Sequence, residues 1–129
     1  MVSPGGIVIG IDHIPELCAA SLRNLQHQAP HLLADGTITI LTADGREGYP
    51  PESPYDVIHV GAALHQSVDP FTQQLKPGGA LFIPKGTHTG AQEVRLYTRD
   101  EEGKVHRERL MGVQYVPLTS AEYQRTRGL

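Results

Sequence analysis

Two carboxylates give this sequence its first chemical suggestion. Asp12 stands within "GIDHIPEL", Gly10 to Leu17, where an apolar run stops and a helix should start, and Asp44 closes a second apolar run just before Gly45. A buried strand has no use for a carboxylate at its end unless hydroxyls or positive charge sit there. At the end of the second strand of a nucleotide-binding sheet, an acid can accept hydrogen bonds from both ribose hydroxyls. Each such charge-assisted bond contributes on the order of 1.5 to 3 kcal/mol. A second acid at the next strand end can accept from the exocyclic amine of adenine, while Gly45 lets the backbone approach the ring. Plainer uses exist: Asp12 suits the cap of a helix beginning near Pro15, and Asp-Gly is a common turn dipeptide. Finding the same residue type at two successive strand ends favours a nucleoside site.

The elements that must hold these acids are legible. Ile7 to Ile11, between Gly5-Gly6 and Asp12, reads as a strand buried on both faces. A helix follows, with Pro15 in its first turn, Glu16 near the positive end of its dipole, and Cys18, Leu22 and Leu25 on one apolar face. Pro30 should end it by pushing Ala29 out of the α region. Asp35-Gly36 is a turn, "TITIL" (Thr37 to Leu41) a second strand, "GYPPESPYD" a proline-rich loop, and "DVIHVGAA" a third strand with glycine at its far end. Asp69 and Pro70 resemble an N-cap and first-turn proline of a helix running through Leu75 to a stop at "KPGG", followed by a strand, "ALFIP". Beyond Pro84, "EVRLYTR" and "VHRERLMGVQYVPL" alternate like strands with one wet face, joined by the turn "DEEGK", so this end is antiparallel. This order predicts an α/β layered sheet, largely parallel with an antiparallel C-terminal strand pair. Ligands of such sheets bind outside the strands' carboxyl ends. Asp12, Asp44 and Gly61 all lie at such ends and could line one crevice.

At 129 residues the chain has the size of one domain, and 1–129 is read as such, long enough to bury a core. A net charge of −3 with scattered Lys and Arg supports no nucleic-acid footprint, and the absence of tryptophan leaves no stacking platform. No run approaches membrane-spanning length. The opening "MVSPGGIVIGID" lacks a basic segment before its apolar stretch, and the single Cys18 agrees with a reducing compartment, so a cytoplasmic or nuclear location is the default, and cytoplasmic is the assignment.

"VIGIDHIPEL", "ADGREGY", "YDVIHVGAA", "QLKPGGALFIP" and "LMGVQYVPLT" resemble successive blocks of the protein-L-isoaspartate O-methyltransferase family, in the same order and over nearly the whole chain. "YDVIHVGAA" with "MGVQYVPLT" is specific to that family rather than to methyltransferases in general. The resemblance implies a Rossmann-like methyltransferase sheet and S-adenosyl-L-methionine as methyl donor, with Asp12 on its ribose, His13 beside the adenosine, and Asp44 with Gly45 at the adenine. It implies that Val60, Gly61 and Ala62, with Val116 and Pro117, border the isoaspartyl peptide. Its partners would be isoaspartyl-containing proteins, methylated in protein repair, and the complete enzyme would be a monomer. Leu64 departs from the pattern, because family members often continue "GAA" with a proline. The implied reaction moves a methyl group from a sulfonium to a free α-carboxylate. That carboxyl has a pKa of about 3.3 to 3.7, is already ionised at neutral pH and needs no general base. No catalytic acid–base residue is therefore assigned.

In nucleotide-binding sheets the glycine-rich loop lies roughly 20 residues before the ribose acid. Here 11 residues precede Asp12, too few to contain it, and Gly5 and Gly6 are too close to serve. The expectation is a carboxyl-terminal portion of an enzyme, incomplete at its N-terminus and of reduced or no activity by itself. In the resembling fold the absent strand would lie between those ending at Asp12 and at His59-Val60, which predicts open strand edges and marginal stability. Two rival readings are a non-catalytic interaction module derived from that family and a nicotinamide-dependent oxidoreductase. The second shares the ribose acid but explains neither "YDVIHVGAA" nor "MGVQYVPLT".

Other reactive residues have ordinary readings. His27 and His31 have the spacing of a helical metal pair, but Pro30 lies between them, and no metal site is assigned. His59 reads as a hydrogen-bonded core histidine and Cys18 as packing on a helix face.

Overall fold

The computed structural model describes residues 5–86 and 90–113. They fall into two compact units that divide between Gly45 and Arg46.

In the first unit, strand β1 (Val8–Asp12) leads into helix α1 (Pro15–Gln28), a short helix α2 (Pro30–Ala34) and strand β2 (Ile38–Thr42). β1 and β2 pair in parallel, from Val8 opposite Ile38 to Asp12 opposite Thr42. Pro15 occupies the first turn of α1, where its missing N–H is no loss. Pro30 ends that helix as expected, since Ala29 is driven to φ −153°, ψ 61°. The proline then starts α2, so His27 and His31 sit on different helices. Gly36, at φ +78°, makes the turn into β2.

Two expectations fail in this unit. β1 is not buried on both faces; Val8 is exposed and the rest of the strand is half-buried. Cys18 is the buried residue of α1 and Leu22 is exposed, because the helix rests on two strands and so narrow a sheet covers little of its apolar face.

The second unit contains β3 (Tyr55–His59), α3 (Asp69–Thr72), β4 (Leu75–Gly86), β5 (Gln92–Arg99) and β6 (Val105–Val113), in the sheet order β3-β4-β5-β6. β3 pairs with β4 in parallel, whereas β4–β5 and β5–β6 are antiparallel, as the C-terminal patterning predicts. Asp100 fixes the β5–β6 turn by accepting from the Glu102 and Lys104 amides. The core is Leu64, Phe71, Leu75, Leu81, Ile83 and Tyr97. Burying a side chain of this size contributes about 1.5 to 3 kcal/mol, so this cluster dominates the stability of the unit.

Helix α3 is shorter than expected. Asp69 lies inside it rather than at the cap, with Ser67 Oγ accepting its amide, and the helix stops at Thr72. Leu75 is drawn into the sheet instead, opposite Tyr55, whose amide donates to the Gln74 carbonyl. "KPGG" is therefore not a helix stop but a bulge inside β4: Tyr55 pairs with Leu75 and Val57 with Ala80, so Lys76–Gly79 loops out. A Cβ at Gly79 would meet the carbonyl oxygens of Lys76, Tyr55 and Asp56 at 2.8–3.1 Å, which is why glycine is needed there. His59 is exposed on β3, not a core residue, because the described neighbours of that strand lie on one side only.

Among the described strands, β1 is paired only by β2 and β3 only by β4. Amides of a parallel strand alternate between its two edges. Val8 donates to Thr37 and Val60 to Phe82, which turns the intervening Ile9, Ile11, Val57 and His59 amides towards the open edges. Hydrogen exchange should show Val8, Gly10, Ile58 and Val60 protected and those four exchanging about tenfold or more faster. Equal protection of alternate residues in β1 or β3 would mean that a further strand covers that edge.

Candidate functional site

The carboxyl end of the first unit's sheet is shaped by backbone hydrogen bonds around Asp12. The Ile14 amide donates to Asp12 Oδ1 at 2.9 Å, an Asx turn that reverses the chain between β1 and α1. The helix cap proper is Ile14, which makes no side-chain cap bond, so Asp12 shapes the turn before the helix rather than capping it. The Ala43 amide donates to the Asp12 carbonyl at 3.0 Å, which extends the pairing of β1 with β2 by one residue. Asp44 is the next residue and is exposed, whereas Asp12, His13 and Gly45 are half-buried. The two acids and their neighbours thus lie at one end of one parallel sheet.

Cys18 anchors this arrangement from below. It is 5% exposed, and its Sγ lies 3.4 Å from the Asp12 carbonyl and 3.5 Å from the Leu41 carbonyl. A thiol has one proton, so it bonds to one oxygen at a time, but both contacts seat α1 against the two strand ends. The packing reading of Cys18 holds.

In the second unit, the chain after β3 runs beside β4 but at a different pace. His59 is opposite Phe82 and Leu64 opposite Lys85, so five steps along one segment match three along the other. The Leu64 amide donates to Pro84 and the Gly86 amide to the Leu64 carbonyl. The two surplus residues must leave the ladder between Val60 and Leu64, at the carboxyl end of β3. Ala63 and Leu64 are nonetheless buried, while Gly61 is exposed and Ala62 half-buried. Leu64 also supplies an N–H that a proline at this position could not. Val60 to Ala62 are thereby presented on a fixed loop, whereas Val116 and Pro117 lie outside the described residues.

Sequence reasoning passed over Gln74. Its buried amide donates to the Glu47 and Pro70 carbonyls and accepts from the Tyr49 amide, which pins the proline-rich segment to α3. A glutamine at the end of an amphipathic pattern gives no cue to such a role. It also passed over a charged row on the second sheet formed by Lys85, Glu93, Arg95 and Arg109. The alternation of Glu93 and Arg95 in "EVRLYTR" was the available signal. The described residues contain no group of three or more His, Cys, Asp or Glu able to hold a metal, and no helix among them is long and apolar enough to cross a membrane.

A family model described as Protein-L-isoaspartate(D-aspartate) O-methyltransferase (PCMT) matches residues 1–123. The protein-L-isoaspartate O-methyltransferase of Triticum aestivum is 42% identical over 125 residues, which cover 96% of this chain and 54% of that protein. Protein-L-isoaspartate O-methyltransferase 2 of Arabidopsis thaliana is 45% identical over 123 residues, covering 93% and 38%. The chain therefore spans about half the length, or less, of these relatives. Among solved structures, a putative protein-L-isoaspartate O-methyltransferase from Plasmodium falciparum, in complex with S-adenosyl-L-homocysteine, superposes with a TM-score of 0.77 at 26% identity, over 88% of this chain and 52% of that one. A second protein-L-isoaspartate O-methyltransferase, 22% identical with a TM-score of 0.75, agrees in fold.

The burial of Cys18 has a direct consequence in solution. Thiol alkylation of the native chain should proceed about a hundredfold more slowly than in denaturant. A native rate close to the unfolded one would show that α1 is not seated on the strand ends.

Proposed function

We infer, from the finding that the chain belongs to the protein-L-isoaspartate(D-aspartate) O-methyltransferase family, that its reaction is transfer of a methyl group from S-adenosyl-L-methionine to the free α-carboxylate of isoaspartyl residues in damaged proteins. The observation that carries this reading is the family match across residues 1–123, which runs through both compact units. We assign both units, residues 1–129, to one partial methyltransferase domain, acting in the cytoplasm on isoaspartyl-containing proteins.

The residues at the end of the first sheet fit an adenosine. Asp12 spends Oδ1 on the Ile14 amide, and Oδ2 has no partner among the described residues, so the carboxylate retains acceptor capacity for ribose hydroxyls. His13, next in the chain, would lie beside the adenosine. Asp44 would accept from the adenine amine, with Gly45 against the ring. Val60, Gly61 and Ala62, with Val116 and Pro117, would border the peptide. When bound, S-adenosyl-L-methionine supplies an electrophilic methyl group. The chain's own residues have no proton to move, because the substrate carboxylate is already ionised. Their task is to fix orientation and exclude water, which can be worth about 7 to 11 kcal/mol.

A second reading, a non-catalytic interaction module, is favoured by the engagement of Asp12 Oδ1 in a purely structural turn. Calorimetric titration of the chain with S-adenosylhomocysteine separates the two. The methyltransferase reading expects saturable binding that Asp12→Asn weakens about tenfold, or 1.4 kcal/mol. Asparagine keeps the Oδ1 acceptor for Ile14, so a loss would report the missing charge rather than a broken turn. Unchanged affinity in the variant removes Asp12 from the ribose, and no binding by the parent chain leaves the interaction module.

A further inference from the structure

The face of the second sheet that buries the core changes character along its length. Leu81 and Ile83 of β4 lie opposite Tyr97 and Arg95 of β5, and Lys85 lies opposite Glu93. Residues directly opposite in a ladder share a face. At one end this face is dry, with Leu81 and Ile83 fully buried and Tyr97 at 6% exposure. At the other end, which is the carboxyl end of β4, it carries Lys85, Arg95 and, from β6, Arg109, grouped around the single carboxylate of Glu93.

The bonding leaves this group positively charged. Glu93 accepts from Arg95 Nε at 2.5 Å through one oxygen and from Arg109 Nε at 2.7 Å through the other. Arg95 Nη1 also donates to the Tyr97 hydroxyl at 3.3 Å. Lys85 Nζ donates to the Gln66 carbonyl, in the loop that follows Gly61–Leu64. Two arginines thus share one carboxylate, and Lys85, opposite Glu93 in the ladder, adds a third cation that makes no ion pair with it, on a chain whose net charge is −3. Each arginine meets Glu93 through Nε alone, so among the described residues the terminal nitrogens of Arg109 and Nη2 of Arg95 have no acceptor. The two arginines hold Glu93 below the usual carboxylate range, and burial together with the charge of Arg95 pulls the Lys85 ammonium below its usual value. Among the described residues the cluster holds one carboxylate for three cations, and guanidinium groups with unspent donors suit a second.

Its place in the fold says which carboxylate. Lys85 bridges to Leu64, two residues beyond Ala62. At about 3.3–3.6 Å per residue, a peptide lying along Val60 to Ala62 would bring a side chain one to three positions from its isoaspartyl residue within reach of Lys85 and the arginines. We propose that Lys85, Arg95 and Arg109 form an accessory subsite for an acidic side chain, so that the chain selects isoaspartyl peptides carrying Glu or Asp close to the damaged residue. The subsite rests on the reading of Val60 to Ala62 as peptide-bordering.

The test compares two isoaspartyl peptides of equal length, one with glutamate at both positions on either side of the isoaspartyl residue and one with glutamine there. Their affinities for the chain are measured at low salt. The glutamate peptide should bind about fivefold more tightly. Arg109→Gln and Lys85→Gln should each reduce that preference to about twofold or less, and Arg109→Gln should leave the glutamine peptide's affinity unchanged. Arg109 is 63% exposed in its side chain, so its replacement leaves the fold intact. Lys76→Gln removes an exposed lysine paired with Asp56 and should leave the preference whole, which separates a local subsite from net charge. Equal affinities for the two peptides, or a preference surviving in Arg109→Gln, overturns the subsite alone. Failure of both peptides to bind overturns the peptide-bordering reading, and the subsite with it.

Discussion

A strand in a parallel sheet carries two rows of backbone donors and acceptors, and both rows must find partners or water. In this chain the described pairings satisfy one row of β1 and one row of β3. Much else about the two units follows from that. β1, paired on one side, makes a sheet too narrow to cover α1, and so Leu17 and Leu22 remain exposed on a helix whose pattern calls for a buried stripe. β3 exposes Val57 to 62% and leaves His59 in solvent, although both belong to an apolar run that would be dry in the interior of a sheet. Burial in these segments is set by the number of neighbouring strands, not by residue type.

The candidate site escapes this deficit because it is built from strand ends rather than strand edges. At the carboxyl end of β1, a side-chain acceptor and a backbone acceptor of the same residue do separate work. Asp12 Oδ1 shapes the turn into the helix, and the Asp12 carbonyl receives Ala43 and so sets where Asp44 leaves the ladder. Cys18 closes the arrangement from the helix side. In the second unit the same economy appears in the loop after β3, where Leu64 both donates to and accepts from β4 while its side chain is buried in the core. Each of these strand-end arrangements depends on local hydrogen bonds that its own unit supplies.

What the sequence revealed and what it hid follow the range of the interactions concerned. Pro15, Pro30 and the turn at Asp35-Gly36 act through φ angles and neighbouring residues, and their effects are where they were expected. The antiparallel C-terminal pair was legible because alternation over eight or nine residues has one simple explanation. The helix expected through Leu75 was not, because the pairing of Leu75 with Tyr55 outweighs helix propensity and no local signal announces it. "KPGG" shows the ambiguity clearly: the same glycines that stop a helix also allow a bulge, and only the close approach of three carbonyl groups to Gly79 decides between them. At the site, the carboxylates were legible by type and position, whereas the division of labour between the two oxygens of Asp12 depends on the path of the backbone.

The charged row on β4, β5 and β6 shows how this fold can acquire specificity without altering its core. The residues that alternate along one face of β5 are Glu93, Arg95, Tyr97 and Arg99, and these four side chains meet very different surroundings. Tyr97 is dry beneath the core cluster, and Arg99 reaches the Leu75 carbonyl at 2.9 Å to tie down the start of β4. Arg95, opposite Ile83, stands at the margin of that cluster, and Glu93, opposite Lys85, lies past it and is free to be polar. The boundary falls between Ile83 and Lys85, where β4 passes from fully buried to half-buried. Substitutions on the wet side of that boundary change charge beside the loop after β3 without disturbing packing. A fold that fixes Leu64 by backbone bonds to Pro84 and Gly86 can therefore vary the side chain between them, at Lys85, and lose only its bond to the Gln66 carbonyl.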